Sequence, residues 1–181
     1  MESTPVTVNP RSPVTTVIAV ALALIVAAIQ VRRHRTDTRP AAVIDTYLVW
    51  WLVLAIGLSS VVGAAFHVFD GPAIAEMIGY TRGDGGFQFE NAMGDLAIGV
   101  TGVLCFWFRG YFWLALLTVT TIQYFGDAAG HVYFWIAEDN TKSGNIGAPL
   151  WFDIILPVVG FTLYALSYRR GGDARPVGAR T

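Results

Sequence analysis

The chain has a single cysteine, Cys105, among 181 residues. That excludes a disulfide framework and any cysteine-cluster metal site. Charge is scarce as well: Asp, Glu, Lys and Arg make up 14% of the sequence, against about 25% in soluble domains. Nor is there an excess of positive charge, since 12 Lys+Arg against 13 Asp+Glu leave a formal net charge of -1. A basic surface for nucleic-acid phosphates is thereby excluded. What the chain does have is apolar residues, 54% of the total, with a mean hydropathy of +0.52. This composition is incompatible with a disordered, collagen-like or coiled-coil chain and describes a polytopic membrane protein whose first partner is the lipid bilayer.

A helix needs about 20 predominantly apolar residues to cross about 30 Å of hydrocarbon. Five stretches qualify: Val14 to Val31, the run between Asp45 and Asp70, Phe87 to Phe108, Tyr111 to Ile136, and Leu150 to Tyr168. The expected fold is all-α, an integral membrane bundle of five transmembrane helices over residues 14–168. An extracytoplasmic tail, 1–13, precedes it and a basic cytoplasmic tail, 169–181, follows. No repeat links the segments. Arg32, Arg33, Arg35, Arg39, Arg109, Arg169, Arg170, Arg175 and Arg180 fall on one side, and Arg11, Arg82 and Lys142 on the other, among acidic residues. The positive-inside rule then places the amino terminus outside and the carboxyl terminus in the cytoplasm. Tryptophans at span ends agree with this as interfacial belts: Trp50, Trp51, Trp107 and Trp113 inside, Trp135 and Trp151 outside. The first segment reads as a retained span, because its arginine cluster follows the apolar run, whereas a signal peptide carries positive charge before it. The expected location is the cytoplasmic membrane of a bacterium. Between the second and third spans, Asp70-Gly71-Pro72 offers a helix start, and Ile74, Met77 and Ile78 would share the membrane-facing side of a short surface helix. The Arg82-Gly83-Asp84 triplet after it reads as a turn, its likeness to an adhesion motif as chance.

Six ionisable residues lie inside the proposed spans: His67, Glu90, Asp95, Asp127, His131 and Asp153. Each costs at least about 2.5 kcal/mol at the bilayer centre unless it meets a partner or a wet cavity. With this topology all six fall in the outer half, while the inner half is almost purely apolar. On the fourth span Gln123, Asp127 and His131 recur every four residues and form one stripe. Gly126 and Gly130 beside it would permit another helix to approach. Ser60, Gly63 and His67 share a face of the second span; Asp153, Pro157, Gly160 and Tyr164 share one of the fifth. Pro157 leaves the carbonyl of Asp153 without its helical donor, which also points Asp153 inward. On the third span Gln88, Asn91 and Asp95 share a face, but Glu90 lies about 140° from Asp95 and faces elsewhere, towards a loosened first turn, another neighbour or a second subunit.

Two histidines with several carboxylates suit zinc, manganese or iron. The expected metal ligands are His67, Asp127, His131 and Asp153, with Glu90, Asp95, Gln123 and Asn91 in support. A divalent ion held there could activate water for hydrolysis. Two other functions fit the same residues: a cation- or proton-coupled carrier working through Asp95 and Asp127, and an accessory subunit of a homo-oligomer or larger membrane complex. Each residue also has a plainer use. His67 could meet the interface, Asp153 and Glu90 could favour helix amino ends, and Asp127 with His131 could be a packing ion pair.

Phe87-Gln88-Phe89-Glu90 with Asn91, Gly94 and Leu96, then Gly130-His131, then Ser143-Gly144-Asn145-Ile146-Gly147 leading to Asp153-Ile154 and Pro157, resemble a small bacterial membrane family of unknown function. That resemblance implies that these polar residues act as one unit. Ala64-Ala65-Phe66-His67-Val68-Phe69 is also similar to the small-residue helix ending in His-x-Phe of transmembrane zinc hydrolases of the ceramidase and adiponectin-receptor type. The likeness implies that Asp95 stands for their acidic residue and Asp127/His131 for their ligand pair. The chain departs from those enzymes in having five spans instead of seven, an aspartate where the pair has histidine, and Gly63 where serine is favoured.

Overall fold

Backbone polar groups in a bilayer have no water to bond, so so apolar a chain must satisfy them along helices. The computed structural model describes residues 11–33, 39–80 and 85–175, and among these there is no strand. The long helices are α1 (Arg11–Arg33), α2 (Pro40–Trp50) continuing through a π-helical segment (Trp51–Leu58) into α3 (Ser59–Ile78), α4 (Gly85–Leu104), α5 (Tyr111–Glu138) and α7 (Ala148–Arg169). A four-residue turn, α6 (Ser143–Ile146), precedes the last. Three stretches are long and apolar enough to cross a membrane: Val14–Arg33, Pro40–Ile78 and Ser143–Arg169. α4 and α5 have comparable length, 20 and 28 residues, but interrupt their apolar sequence with Glu90, Asp95, Asp127 and His131. Residues 1–10, most of the basic link, the Arg82-Gly83-Asp84 triplet and the tail beyond Arg175 lie outside the described residues.

Hydrogen bonds fix how the helices run. The start of α2, the link between α4 and α5, and the end of α7 meet at one end of the bundle. There Asp45, buried, accepts hydrogen bonds from Ser167 Oγ and from Asp173 N at 2.8 Å, and Arg109 Nη1 donates to Asp173 Oδ2 at 3.0 Å. At the other end, Asn140 beyond α5 donates to Ile78 O at the end of α3. Trp50 Nε1 bonds Gln30 Oε1 near the end of α1, so α1 runs towards the Asp45 end. The long helices therefore alternate up and down.

Packing follows membrane rules, with small residues inside and large apolar ones outside. α1 docks through Ala19, Ala23 and Ala27, all buried, while Val17, Ile18, Leu22 and Ile25 face outward. α4 meets the π-helical segment backbone to backbone: a Cβ on Gly102 would stand 2.6 Å from Gly57 Cα, and one on Gly99 would stand 2.6 Å from Val61 Cγ2. Trp51 and Trp113 correct the belt expectation. Both are buried in the core, with their indole N–H groups donating to Leu156 O at 3.0 Å and Cys105 O at 2.9 Å. A buried indole needs such an acceptor, and backbone carbonyls supply it, Leu156 within α7 and Cys105 just past the end of α4. Trp107, Trp135 and Trp151 do lie exposed.

α3 bends where the Asp-Gly-Pro signal stands. Asp70 leaves helical geometry (φ -138°, ψ 26°) and the helix resumes through Pro72 to Ile78. It ends at Gly79, whose φ of +96° suits glycine and whose N–H bonds Ala75 O at 2.9 Å. Ile74 is buried and Met77 and Ile78 are half-buried, so this short helix lies over the bundle end.

Two substitutions test this frame. Gly102→Val should lower stability by about 1–3 kcal/mol through overpacking. Asp45→Ala, which strips acceptors from Ser167 and Asp173, should cost about 1–3 kcal/mol for each buried donor left unpaired. Thermal unfolding of the detergent-solubilised protein reads both, and unchanged midpoints would contradict the packing described.

Candidate functional site

The bend at Asp70 and the alternating helices bring residues of α3, α4, α5 and α7 to one cavity of about 600 Å³. His67, Asp95, Asn91, Asp127, His131 and Asp153 all line it. The i, i+4 stripe of α5 turns Asp127 and His131 to the same side. Gly63 makes room opposite, since a Cβ there would stand 3.5 Å from Asp95 Oδ2.

The two histidines are held alike. His67 Nδ1 is 2.6 Å from Gln88 Oε1, and its Nε2 is 3.9 Å from Asp95 Oδ2. His131, buried, has Nδ1 2.8 Å from Asn145 Oδ1 and Nε2 3.7 Å from Asp153 Oδ2. Asn145 is fully buried and its amide orientation is dictated by its surroundings, because its NH₂ donates to His131 O at 3.0 Å and Asn140 O at 2.9 Å. Its oxygen therefore faces the ring, and an amide oxygen only accepts. Nδ1 must carry the proton, so in the neutral ring Nε2 presents a lone pair beside the carboxylate. The Gln88 Oε1 that faces His67 Nδ1 matches the same tautomer.

Asp127 stands between the pairs. It accepts from Gln123 Nε2 at 3.2 and 3.3 Å, and its charge acts on His131 and His67. Above it lies Tyr80, whose hydroxyl is held above its ordinary titration range first by burial and then by the carboxylates of Asp127 and Asp153. It therefore stays protonated and able to donate. Ser60 Oγ and Tyr124 OH, 2.7 Å apart, form another polar wall.

Of the residues expected from sequence, Glu90 and Gln123 do not line the cavity; Glu90 is exposed and turns away, as its angular offset from Asp95 on the helix requires. Gln123 acts through Asp127. His131 meets Asp153 and Asn145 instead of bonding directly to Asp127. Among the described residues no helix packs on Gly126 or Gly130: a Cβ on Gly126 would meet nothing within 4 Å, and one on Gly130 only Tyr80 OH at 3.9 Å. Gln88 and Asn145 complete the site as the groups that orient the histidines. Gln88 was visible on the face of Asp95, but Asn145 sits in a loop, where no helical periodicity marks it.

Among the described residues no three His, Cys, Asp or Glu side chains converge into a ready-made metal cage. The two Nε2–carboxylate gaps are a few tenths of an ångström wider than the roughly 3.4 Å that separates two ligands of one tetrahedral zinc at about 2.0–2.1 Å. Three carboxylates and two imidazoles line the cavity together, a donor set that suits a cation. Gln88→Leu should release His67 to sample both tautomers, read as a change in its ¹⁵N ring shifts, while His131 keeps its Nδ1–H form. An unchanged His67 spectrum would remove Gln88 from this role.

No curated protein and no solved structure matches the chain. Nothing in these comparisons supports the likeness to transmembrane zinc hydrolases. A family model does match, over residues 13–173, a span that takes in every helix and every residue of the cavity just described. The chain belongs to that family, whose description is "Family of unknown function (DUF6790)".

Proposed function

We propose that the protein is a five-span membrane protein, amino terminus outside, that binds a divalent cation in this cavity. The observation that carries the reading is the repeated unit, an imidazole with Nδ1 donating to an amide oxygen and Nε2 facing a carboxylate across 3.7–3.9 Å. Histidines that ligate metals are oriented in this way, with the far ring nitrogen donating to a fixed acceptor. The carboxylates and imidazoles that line the cavity support a cation, and this donor set suits zinc, manganese or iron. His131 with Asp153 and His67 with Asp95 supply the ligands, and Asp127 stands where it serves either as a shared ligand or as the base for a metal-bound water. The second of these roles would make the protein a membrane-embedded hydrolase. The alternating helices and the arginines at the Asp45 end support five spans and an outward cavity.

A second reading has its own support. Gaps of 3.7 and 3.9 Å are also those of imidazolium–carboxylate pairs, and such pairs could exchange protons or monovalent cations.

Elemental analysis of the purified protein separates the two. The cation-site reading expects a stoichiometric transition metal, lost in His131→Ala and Asp153→Ala, and an affinity lowered about 10–100-fold in Asn145→Ala, which removes the orienting bond and the amide's two backbone contacts but no ligand. Metal-free protein that takes up no zinc, manganese or iron on titration would overturn it. Proton or sodium flux in liposomes that depends on His131 would then favour the second.

A further inference from the structure

What reaches the His–Asp pairs depends on where the cavity opens. Its outer end is roofed by residues 71–80, tied down by Asn140 Nδ2 to Ile78 O at 3.0 Å and by Lys142 Nζ to Glu76 O at 2.8 Å. Gly144 packs under this roof so tightly that a Cβ there would stand 2.5 Å from Met77 O. At the rim of the roof, exposed Glu138 lines the cavity and gives it a polar mouth.

A second mouth lies partway along α5. Gly126 lines the cavity and is exposed, and a Cβ on it would meet nothing within 4 Å. The same face of α5 carries Val119, Ile122 and Tyr133, which are 56%, 71% and 61% exposed. In a bilayer this face meets lipid. By helical rise Gly126 lies about 18 Å from Glu138 and about 22 Å from Tyr111. The opening is therefore at the depth of acyl chains, away from both headgroup layers. α4 and α5 come together near Gly94, where a Cβ would stand 3.8 Å from Gln123 Oε1. One turn further out, Asn91 on α4 lines the cavity, yet no side chain of α4 closes over Gly126.

We propose that the cavity receives an amphiphile from the bilayer, which enters sideways past Gly126 and brings its polar head to the His67–Asp95 and His131–Asp153 pairs. Its apolar chain stays along α4 and α5 in the lipid. This rests on the cation-site reading and divides the traffic, with ion and water arriving by the Glu138 rim and the amphiphile by the side. A helix from a second copy fits the opening less well. Gly130, four residues on and close to the same face, already has Tyr80 OH 3.9 Å from where its Cβ would stand, so a side chain of this chain occupies that half of the pair.

The test uses the full chain in vesicles, with Cys105→Ala removing the native thiol and Ser60→Cys placing a new one in the cavity wall. Two probes label it: N-dodecylmaleimide, which partitions into the bilayer, and a trimethylammonium methanethiosulfonate, which stays in water. Gly126→Trp should slow the dodecyl reagent at least about tenfold, and Gly126→Leu should slow it less, while the charged reagent stays within about twofold. An unchanged dodecyl rate would overturn the lateral entrance, and so would an equal loss of both rates, because Gly126 would then belong to the aqueous path. Metal content measured on the same samples keeps the two readings apart. Metal-free protein sinks the cation site, whereas the labelling rates decide the entrance by themselves.

Discussion

The bond from each histidine's Nδ1 to a side-chain amide oxygen is the constraint on which the site depends. Without it an imidazole in a membrane cavity rotates and exchanges tautomers, and its Nε2 has no fixed direction. With it, two rings from α3 and α5 present lone pairs to carboxylates from α4 and α7. Four helices are committed to one geometry by groups that would each be costly alone in hydrocarbon. Asn145 is itself fixed, because it spends its NH₂ on two backbone carbonyls, and Gln88 is buried against His67. Polar satisfaction and orientation are thus achieved by the same bonds.

Much of this was legible in the sequence, for a physical reason. Ionisable residues are so disfavoured in apolar spans that each one present marks an interior position, and helical spacing then assigns its face. That logic brought His67, Asp95, Asp127, His131 and Asp153 to one half of the bundle and set Glu90 apart from Asp95. It failed where the decisive signal was not periodic. Asn145 lies in a loop, so its place against His131 depends on how α6 folds back. The π-helical segment is set by the close approach of Gly57 to Gly102, which is a property of the pair of helices and not of either alone. Trp51 and Trp113 misled because an aromatic near a span end is usually interfacial, and only tertiary packing shows that a backbone carbonyl awaits its N–H inside.

Glycine has opposite uses in the two halves of the molecule. Gly57, Gly99 and Gly102 bring α4 and its neighbour together until nothing larger fits, and they build a close helix–helix contact out of absent side chains. Gly126 is also bare but has no neighbour, and it leaves a gap in the wall of a polar cavity. Composition alone cannot distinguish a glycine that joins helices from one that holds them open. The difference lies in what the opposing helix presents at the same depth.

The two ends of the bundle are also unlike in a way that bears on function. Towards the Asp45 end, Leu48, Leu52, Ile56, Trp113, Leu116 and Leu117 are almost wholly buried and fill the interior. Beneath them the segment after α7 is latched by Asp45, Ser167 and Arg109. A carrier working by alternating access would have to open that packed half, breaking an apolar core and a buried carboxylate network together. A binding or catalytic site needs no such motion, because ions and substrates can enter and leave through the half that holds the histidines. The packing therefore favours a site served from one side, and it makes the closed end the part of the molecule that keeps the open end in register.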